Sequence, residues 1–488
     1  MQFLRSENKD LYTVLLVGFT FVILNSLLLY FEVFYLPLLP IFLVLAWLFF
    51  VSLERGILLI VFFVPFSIPL STLVPGLPVN LFLPTEPLLA AVMIIYFIKY
   101  LKGNRIDIKI LRHPISLAIY FNIAWIFITS ITSTMPLVSA KFLLVRIWFI
   151  VSFYILAAQI FKNPSRIRQY LWIYIIPFTL IIFYVLIRHS SYGLNNQIAS
   201  HWVVRPFYND HTSYGAILAM LVPVLIALFF SYSKMEKGQR ILFLLLIGLY
   251  FAATLFSYTR AAWVSLVGIF GLWIIIKLRI KFQYLILAGI IFGVFLFTAW
   301  PRLMLKVEQN SQTSSGELTE HIQSISNVKN DASNLERLNR WNSAIRMFKE
   351  KPIFGWGPGT YQFNYAPFQR SQEKTIISTN TGKRGNAHSE YLGPLSESGL
   401  LGMLSMLLIF TLSIYTGLRV YFTSKSEKIK TLSLGILLGL ITYFVHGILN
   451  NFLDTDKASA LVWGYIAMLV AMDIYHRGES EEGDVVIK

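Results

Sequence analysis

Long apolar runs separated by short polar segments dominate the chain. Windows of about 18 or more apolar residues recur, each long enough to cross roughly 30 Å of hydrocarbon as a helix. Backbone polar groups in lipid must be satisfied within the segment, which favours helices. The pattern predicts about 14 candidate spans, at residues 12–31, 35–53, 56–74, 83–101, 115–133, 142–161, 169–187, 213–231, 241–257, 261–277, 283–300, 398–420, 431–451 and 458–475. Prolines 65, 69, 75, 78 and 84 leave a re-entrant course open for part of the third and fourth.

One long polar segment interrupts this series and organises the chain. We expect N-terminal helices at 1–200, helices carrying Arg205 and Arg260 at 201–300, a large loop at 301–397, C-terminal helices at 398–475 and a tail at 476–488. Polar residues from Gln309 to Asn334 predict a mobile first half of the loop. Apolar residues at helical spacing then predict an amphipathic helix from Leu335 to Lys349, followed by a segment rich in glycine and proline.

Composition and charge place the protein in a membrane and orient it. Hydrophobic residues make up 56% of the 488 residues and charged residues only 14%, and cysteine is absent. The formal charge of +16 lies mostly in alternate short loops, as the positive-inside rule requires, and this argues against nucleic-acid binding. Both termini are then cytoplasmic and the loop 301–397 faces outward. The first apolar run has spanning length and no small-residue cleavage site, so we expect it to be retained.

Three arginines lie where a phosphate could be bound near the outer surface. Arg260 ends a very short connection between two spans, and a guanidinium there either anchors to lipid headgroups or binds a phosphate. Arg205 precedes Pro206 in an outward loop and is open to a solvated or a functional role. Arg146 lies inside a span, so it must face a polar cavity or a carboxylate such as Glu86.

The most informative polar segment is Asn386-Ala-His-Ser-Glu-Tyr-Leu-Gly-Pro-Leu-Ser-Glu397, where the loop returns to the membrane. Neutral imidazole accepts a proton at pH 7, so His388 is a candidate general base, although a packing role is equally open. Pro394 disfavours one continuous helix here, so whether Glu390 or Glu397 orients the histidine stays open. The spacing matches no established metal motif, and no metal is expected.

A second set of polar residues lies near the end of the penultimate span. His446, Asn450 and Asn451 are followed by Asp454 and Asp456. These side chains either line the same outward cavity or hydrogen-bond between helices.

Four short motifs, in this order, resemble the O-antigen ligase and O-antigen polymerase superfamily of bacterial membrane glycosyltransferases. The motifs are Tyr258-Thr-Arg-Ala-Ala-Trp263, Glu336-Arg-Leu-Asn-Arg-Trp341, Pro352-Ile-Phe-Gly-Trp-Gly-Pro-Gly-Thr-Tyr361 and His388-Ser-Glu-Tyr-Leu392 with Glu397. The first 200 residues are similar only in hydropathy.

The resemblance implies a GT-C-like bundle of 12–14 transmembrane helices in the bacterial inner membrane, with its active site facing the periplasm and no cofactor or metal. Its implied donor is a glycan on undecaprenyl pyrophosphate, and its implied acceptor is a hydroxyl of lipid A-core or a similar glycan. Arg205 and Arg260 would hold the pyrophosphate, His388 would deprotonate or orient the acceptor, and inversion would follow. Arg337, and by our reading Glu397 and Arg146, are further expected substrate contacts.

Several functions remain compatible with these residues. A ligase is the leading hypothesis, and a polymerase that extends carrier-linked repeat units is the principal alternative. A protein O-oligosaccharyltransferase shares the same signature. A transporter would predict internal repeats and polar sites at the midplane of the membrane, and the sequence has no convincing repeat.

Overall fold

The computed structural model describes residues 2–31, 36, 38–73, 81–232, 235–280, 332–375, 378 and 385–478. The predicted span 283–300, residues 301–331 of the loop and most of the tail 476–488 lie outside these ranges.

The described part is built almost entirely from helices, as predicted for an all-α polytopic membrane protein. In chain order these are α1 (Gln2–Tyr30), α2 (Leu38–Val51), α3 (Leu53–Phe63), α4 (Leu70–Leu73), α5 (Thr85–Leu101), α6 (Ile108–Leu111), α7 (Pro114–Ile131), α8 (Pro136–Ile150), α9 (Ala157–Ile160), α10 (Pro164–Ser190), α11 (Gln197–Val203), α12 (His211–Ser231), α13 (Lys237–Phe256), α14 (Arg260–Lys277), α15 (Ala332–Glu350), α16 (Tyr361–Asn364), α17 (Leu392–Thr423), α18 (Glu427–His446) and α19 (Asp456–Ala471). π-Helical turns at Val151–Leu156 and Met472–His476 join α8 to α9 and extend α19.

Ten helices in the described ranges are long and apolar enough to cross a membrane. They comprise α1, α7, α8 with α9, α10, α12, α13, α14, α17, α18 and α19 with its π-helical turn. Each corresponds to a predicted span. The protein is therefore a multi-pass membrane protein, while its orientation stays a prediction.

The predicted continuous span 56–74 is wrong. Ser52 caps the N-terminus of α3 by accepting a hydrogen bond from the Arg55 amide, and α3 ends at Phe63, just before Pro65. The chain then forms a short antiparallel pair of strands, β1 (Ile68–Pro69) and β2 (Phe82–Leu83). Proline has no amide hydrogen and restricts the residue before it, so α3 does not continue through Pro65. Strand β2 leads into α5, whose first turn carries Glu86.

The most buried helices are α12, α18 and α19, and they pack at the centre of the bundle. Glycines permit the close approach of α18 to α12, because a Cβ at Gly435 would lie 2.2 Å from the Ala227 Cβ and one at Gly439 2.6 Å from the Met220 carbonyl oxygen. Small residues at helix contacts are the usual way in which membrane helices approach closely. This core fixes the positions of the helix ends that carry the polar residues.

Many basic residues of the predicted cytoplasmic set gather at one end of the bundle. Asp107 contacts Lys162 at 2.7 Å, and Asp473 contacts Arg419 at 3.4 Å and Arg477 at 3.2 Å. The opposite ends of α12, α14 and α18 carry His211, Arg260 and His446, and the candidate site lies there.

Candidate active site

His388 lies in the short segment between the extramembrane loop and the first turn of α17. Its backbone is left-handed, with a φ of 47°, a conformation that a non-glycine residue holds only when its surroundings enforce it. The Asn386 side-chain oxygen accepts a hydrogen bond from the His388 amide at 3.1 Å, and the Trp341 indole donates to the His388 carbonyl at 3.4 Å. These contacts fix the backbone from which the imidazole projects.

Helix α15 holds this segment through Arg340. The Arg340 Nε donates to the Glu336 Oε1 at 2.7 Å, and its Nη1 donates to the Asn386 carbonyl at 3.1 Å. Both charged side chains are about 95% buried, and Glu336 also accepts hydrogen bonds from Ser378 and Thr375. A buried ion pair that is satisfied on both sides is costly to disrupt. Arg340 thus links α15 directly to the residues that precede His388.

The surroundings of His388 keep its imidazole neutral. Burial, followed by the positive charges of Arg340 and Arg337, lowers the pKa of His388 to about 3, although Asp210 and Glu336 partly oppose this. A neutral imidazole has one ring nitrogen free to accept a proton. The protein therefore presents His388 in the form that a general base requires at pH 7.

Two of the predicted arginines converge on the same region. Arg337 of α15 lies close enough to His388 and His211 for its positive charge to act on both. Arg260, at the start of α14, acts on His211 in the same way. The Thr259 hydroxyl donates to the His211 carbonyl at 2.8 Å, which ties the start of α14 to the start of α12. Residues from three distant parts of the sequence are thus brought together.

Asp210 adds a negative charge to this cluster. It caps α12 by accepting a hydrogen bond from the Ser213 amide at 2.8 Å. Burial raises the pKa of Asp210, but hydrogen bonds from Ser213 and Thr212 outweigh burial and leave the pKa below its usual value. His211 then stacks on His201, with ring centroids 4.1 Å apart. One carboxylate therefore faces a group of several cationic or titratable side chains.

Arg205 is exposed, and the described contacts do not join it to His388. Its Nε lies 3.4 Å from the Asn209 carbonyl, and its own carbonyl accepts a hydrogen bond from Arg188 at 2.6 Å. Asn209 lines the cavity described next. Arg205 therefore lies at the rim of the site, and its predicted contact with a pyrophosphate stays a prediction.

A cavity of about 500 Å³ adjoins the His388 segment. Ala387 and Ser389 line it, on either side of the histidine. Its other walls come from the start of α5, from α8, from the turn before α16 and from the segment between α18 and α19. Predicted site residues Arg146 and Glu397 are among the lining residues.

Arg146 has the carboxylate partner that its burial requires. Its Nη2 donates to the Asp454 Oδ1 at 2.7 Å, so the hydrogen-bonded partner is Asp454 rather than the expected Glu86. Arg146 is only 7% exposed, whereas Asp454 is open to the cavity. The ion pair thus forms part of the cavity wall, and a substrate contact by Arg146 stays a prediction.

The two glutamates of the motif are engaged with the backbone. Glu390 Oε1 accepts hydrogen bonds from the amides of Phe452 and Leu453, each at 2.8 Å, and from the Tyr443 hydroxyl. Burial and the charge of Asp454 raise the pKa of Glu390 to about 7. Glu397 accepts from the Tyr361 amide at 2.9 Å. Among the described contacts, neither glutamate orients the imidazole of His388, because both carboxylates bind backbone amides instead.

Some of the polar residues near the end of α18 hydrogen-bond within the bundle, and others line the cavity. His446 is buried, and its Nε2 lies 3.1 Å from the Asn450 side-chain nitrogen, so these two interact within the bundle. Asn451 and Asp454 line the cavity.

Sequence reasoning singled out neither Arg340 nor Glu336 as a site residue, although both lie in a quoted motif. Their i,i+4 spacing on an amphipathic helix was the available signal. The approach of Asp210 to His388 had no local signal, because the two residues are distant in sequence and only the fold brings their charges close. Within the described ranges, no group of three or more histidine, aspartate or glutamate side chains could hold a metal ion.

Comparison with known families bears on the same region. Residues 243–407 match the model of the O-antigen ligase family. We call residues 243–407 the O-antigen ligase region, after the family model that they match. The O-antigen ligase region contains Arg260, Arg337, His388 and Glu397, whereas Arg146 and Arg205 precede it. The resemblance inferred from the motifs is confirmed, and the family supports a glycosyltransferase of the ligase or polymerase type.

A relative from Haemophilus influenzae, described only as an uncharacterized protein, is 23% identical over 317 residues. The alignment covers 64% of this chain and 74% of the relative. The similarity therefore extends well beyond the O-antigen ligase region.

Proposed function

We propose that the protein transfers a glycan from undecaprenyl pyrophosphate to an acceptor hydroxyl at the periplasmic face of the inner membrane. The leading acceptor is lipid A-core or a similar glycan, as in a ligase. The observation that carries the proposal is the convergence of neutral His388 with Arg260 and Arg337 around His211 and Asp210. Guanidinium groups suit the binding of a pyrophosphate, and a neutral imidazole suits a hydroxyl acceptor.

The chemistry divides between these groups. The acceptor oxygen attacks the anomeric carbon while the bond from that carbon to the pyrophosphate oxygen breaks. The departing electron pair stays on the pyrophosphate, where Arg260 and Arg337 stabilise the charge. The acceptor proton passes to His388 and then to solvent. In-line attack inverts the anomeric configuration.

In this scheme, the low pKa of His388 couples proton transfer to binding of the donor. A base with a pKa near 3 is weak, and efficient proton transfer requires a pKa nearer the operating pH. The negative charge of a pyrophosphate beside Arg337 would offset the positive charges that depress it. Binding of the donor would then activate the base, and proton transfer would be coupled to the presence of the donor.

A gel of lipopolysaccharide from the host strain lacking the protein tests the proposal, with wild-type and His388→Ala genes supplied in trans. Bare core with accumulation of carrier-linked polymer means a ligase, and the His388→Ala gene should then restore no ladder. Core bearing one repeat unit means a polymerase. An unchanged ladder in the deletion strain contradicts both assignments for this glycan.

A further inference from the structure

The charged side chains that line the cavity beside His388 are mainly carboxyl groups, in contrast to the region around Arg260 and Arg337. Four carboxyl groups line it, from Glu86, Glu390, Glu397 and Asp454, against two cationic side chains, Lys141 and Arg146. Arg146 is already paired with Asp454, so this wall offers a pyrophosphate carboxyl oxygens rather than a free pair of guanidinium donors. The cavity therefore suits a ligand without negative charge better than a pyrophosphate.

Two buried oxygen atoms in this wall lack hydrogen-bond donors among the described residues. Glu86 is 4% exposed and its Oε2 has no partner, and the Asn451 Oδ1 is likewise unpaired. Both residues line the cavity. A buried acceptor left without a donor costs free energy, and a ligand rich in hydroxyl groups would satisfy both.

The remaining lining fits a sugar. Aromatic side chains of Phe82 and Phe142 offer apolar faces, while Gln362 and Asn386 offer amides that both donate and accept hydrogen bonds. The volume of about 500 Å³ lies within the range usual for small-molecule sites.

The position of the cavity indicates which sugar it holds. Ala387 and Ser389 face the cavity, whereas His388 between them has Arg337 and Arg340 as its charge neighbours. An in-line displacement needs its nucleophile and its leaving group on opposite sides of the reacting carbon. A pyrophosphate at Arg260 and Arg337 thus places the acceptor sugar in the cavity, with its reacting hydroxyl at the end of the cavity that adjoins His388.

We infer that this cavity is the acceptor subsite, and that it takes a neutral or amino-bearing sugar and rejects an acidic one through Glu86, Asn451 and Asp454. The inference rests on the proposed function and extends it to the class of acceptor. Glu86 and Asn451 accept hydrogen bonds from acceptor hydroxyls, and Asp454, although paired with Arg146, exposes carboxylate surface at the open side.

The test uses the full-length protein in lipid nanodiscs with an undecaprenyl-pyrophosphate-linked glycan as donor. Three acceptors share one lipid aglycone and carry a glucoside, a glucosaminide or a glucuronide. Wild-type protein should use the first two with a kcat/KM at least about 10-fold above that for the glucuronide. The Glu86→Gln variant should raise the KM for the glucoside about 10-fold, leave the KM for the donor unchanged and narrow the discrimination against the glucuronide. An Asn451→Leu variant should raise the same KM.

Glu427→Gln is the matched control, because Glu427 lies at the other end of the bundle, where it pairs with Lys430. Equal use of all three acceptors, or a change confined to the KM of the donor in Glu86→Gln, overturns the assignment of the cavity.

A binding measurement separates this inference from the proposed function. The neutral glucoside alone should raise the melting temperature of wild-type protein and of Glu427→Gln, but not that of Glu86→Gln. Binding that depends on Glu86 without any transfer product would contradict the proposed function and leave the sugar site standing. Transfer with no effect of either cavity variant on binding or KM would contradict the sugar site alone.

Discussion

At the scale of single residues, the site is defined by how neighbours control charge. His388 is kept neutral by burial and by Arg340 and Arg337, while Asp210 stays ionised because Ser213 and Thr212 donate hydrogen bonds to it. Each group is thus held in one protonation state. A ligand that changes the local charge changes these states, which makes the site sensitive to what it binds.

The first prediction concerns pH. Because the pKa of His388 is lowered to about 3, its neutral form persists in the free protein as pH falls from 8 to 5. The value of kcat/KM for the donor reports the free enzyme, so it should show no acid limb from His388 in this range. The value of kcat reports the bound complex, where the pyrophosphate raises the pKa, and it should fall at the acid end. An acid limb near pH 6.5 in both parameters would show that the imidazole is not held neutral in the free protein.

Arg260→Lys gives the second prediction. An ammonium group keeps the charge but loses the planar pair of donors that matches a phosphate. We expect kcat/KM for the donor to fall by about 100-fold, the scale of one lost charge-assisted interaction with a transition state. Arg419→Lys, at the opposite end of the bundle, is the control and should retain activity. Full activity of Arg260→Lys would identify Arg260 as an interfacial anchor.

At the scale of elements, α15 supports the segment that carries His388. Its residues Glu336, Arg340 and Trp341 all connect to one another or to residues 386–388. The Tyr361 hydroxyl in turn donates to the Arg340 carbonyl at 2.8 Å. The helix therefore positions His388, the proposed base.

The third prediction tests this positioning role. Arg340→Gln removes the ion pair and the charge, and should lower kcat by about 10- to 100-fold through misplacement of His388. The KM for the donor should change less than kcat, and Arg340→Lys should recover part of the loss. Lys349→Gln changes an exposed cation on the same helix and serves as the control. An effect of Arg340→Gln on KM alone would indicate a direct substrate contact instead.

The elements also show what the sequence could and could not predict. Apolar runs located the long spans, because helix formation in lipid depends mainly on local composition. The predicted span 56–74 is interrupted near Pro65. The prolines in the sequence indicated such an interruption, but they did not predict the pair of strands. The motifs selected His388, Arg260 and Arg337, which the fold brings together. The cavity and the approach of Asp210 arise from packing between distant helices, and no local pattern encodes that.

At the scale of the whole molecule, the site depends on a tightly packed centre. Asp210 and His211 lie at the start of α12. The segment between α18 and α19 binds Glu390 and forms part of the cavity wall. Their relative positions follow from the close contact of α18 with α12 at Gly435 and Gly439. Distortion of this contact should move several site residues together.

The fourth prediction concerns this contact. In Gly435→Val the new side chain would collide with Ala227 and with the Pro223 carbonyl oxygen, so the helices must separate. Overpacking of this kind costs about 1–3 kcal/mol, and the melting temperature in detergent should fall by several degrees. Gly248→Val is the matched control, since nothing lies within 4 Å of a Cβ there. Equal melting temperatures for the two variants would contradict the packing described.

Backbone hydrogen bonds join the glycine-rich turn, residues 352–359, to the first turns of α17. The Trp356 amide donates to the Ser396 carbonyl at 3.1 Å, the Gly357 amide to the Glu397 carbonyl at 2.8 Å, and the Leu400 amide to the Pro352 carbonyl at 3.0 Å. Gly355 and Gly399 have φ values of 67° and 69°, and a Cβ on either would collide with the backbone of the facing segment.

Because these bonds are made by the main chain, they fix the length of residues 352–359 more strictly than their side chains. A single-residue insertion there would shift every later donor against its acceptor and move Glu397 away from the Tyr361 amide. An epitope tag at this turn should therefore abolish transfer even when the tagged protein still reaches the membrane.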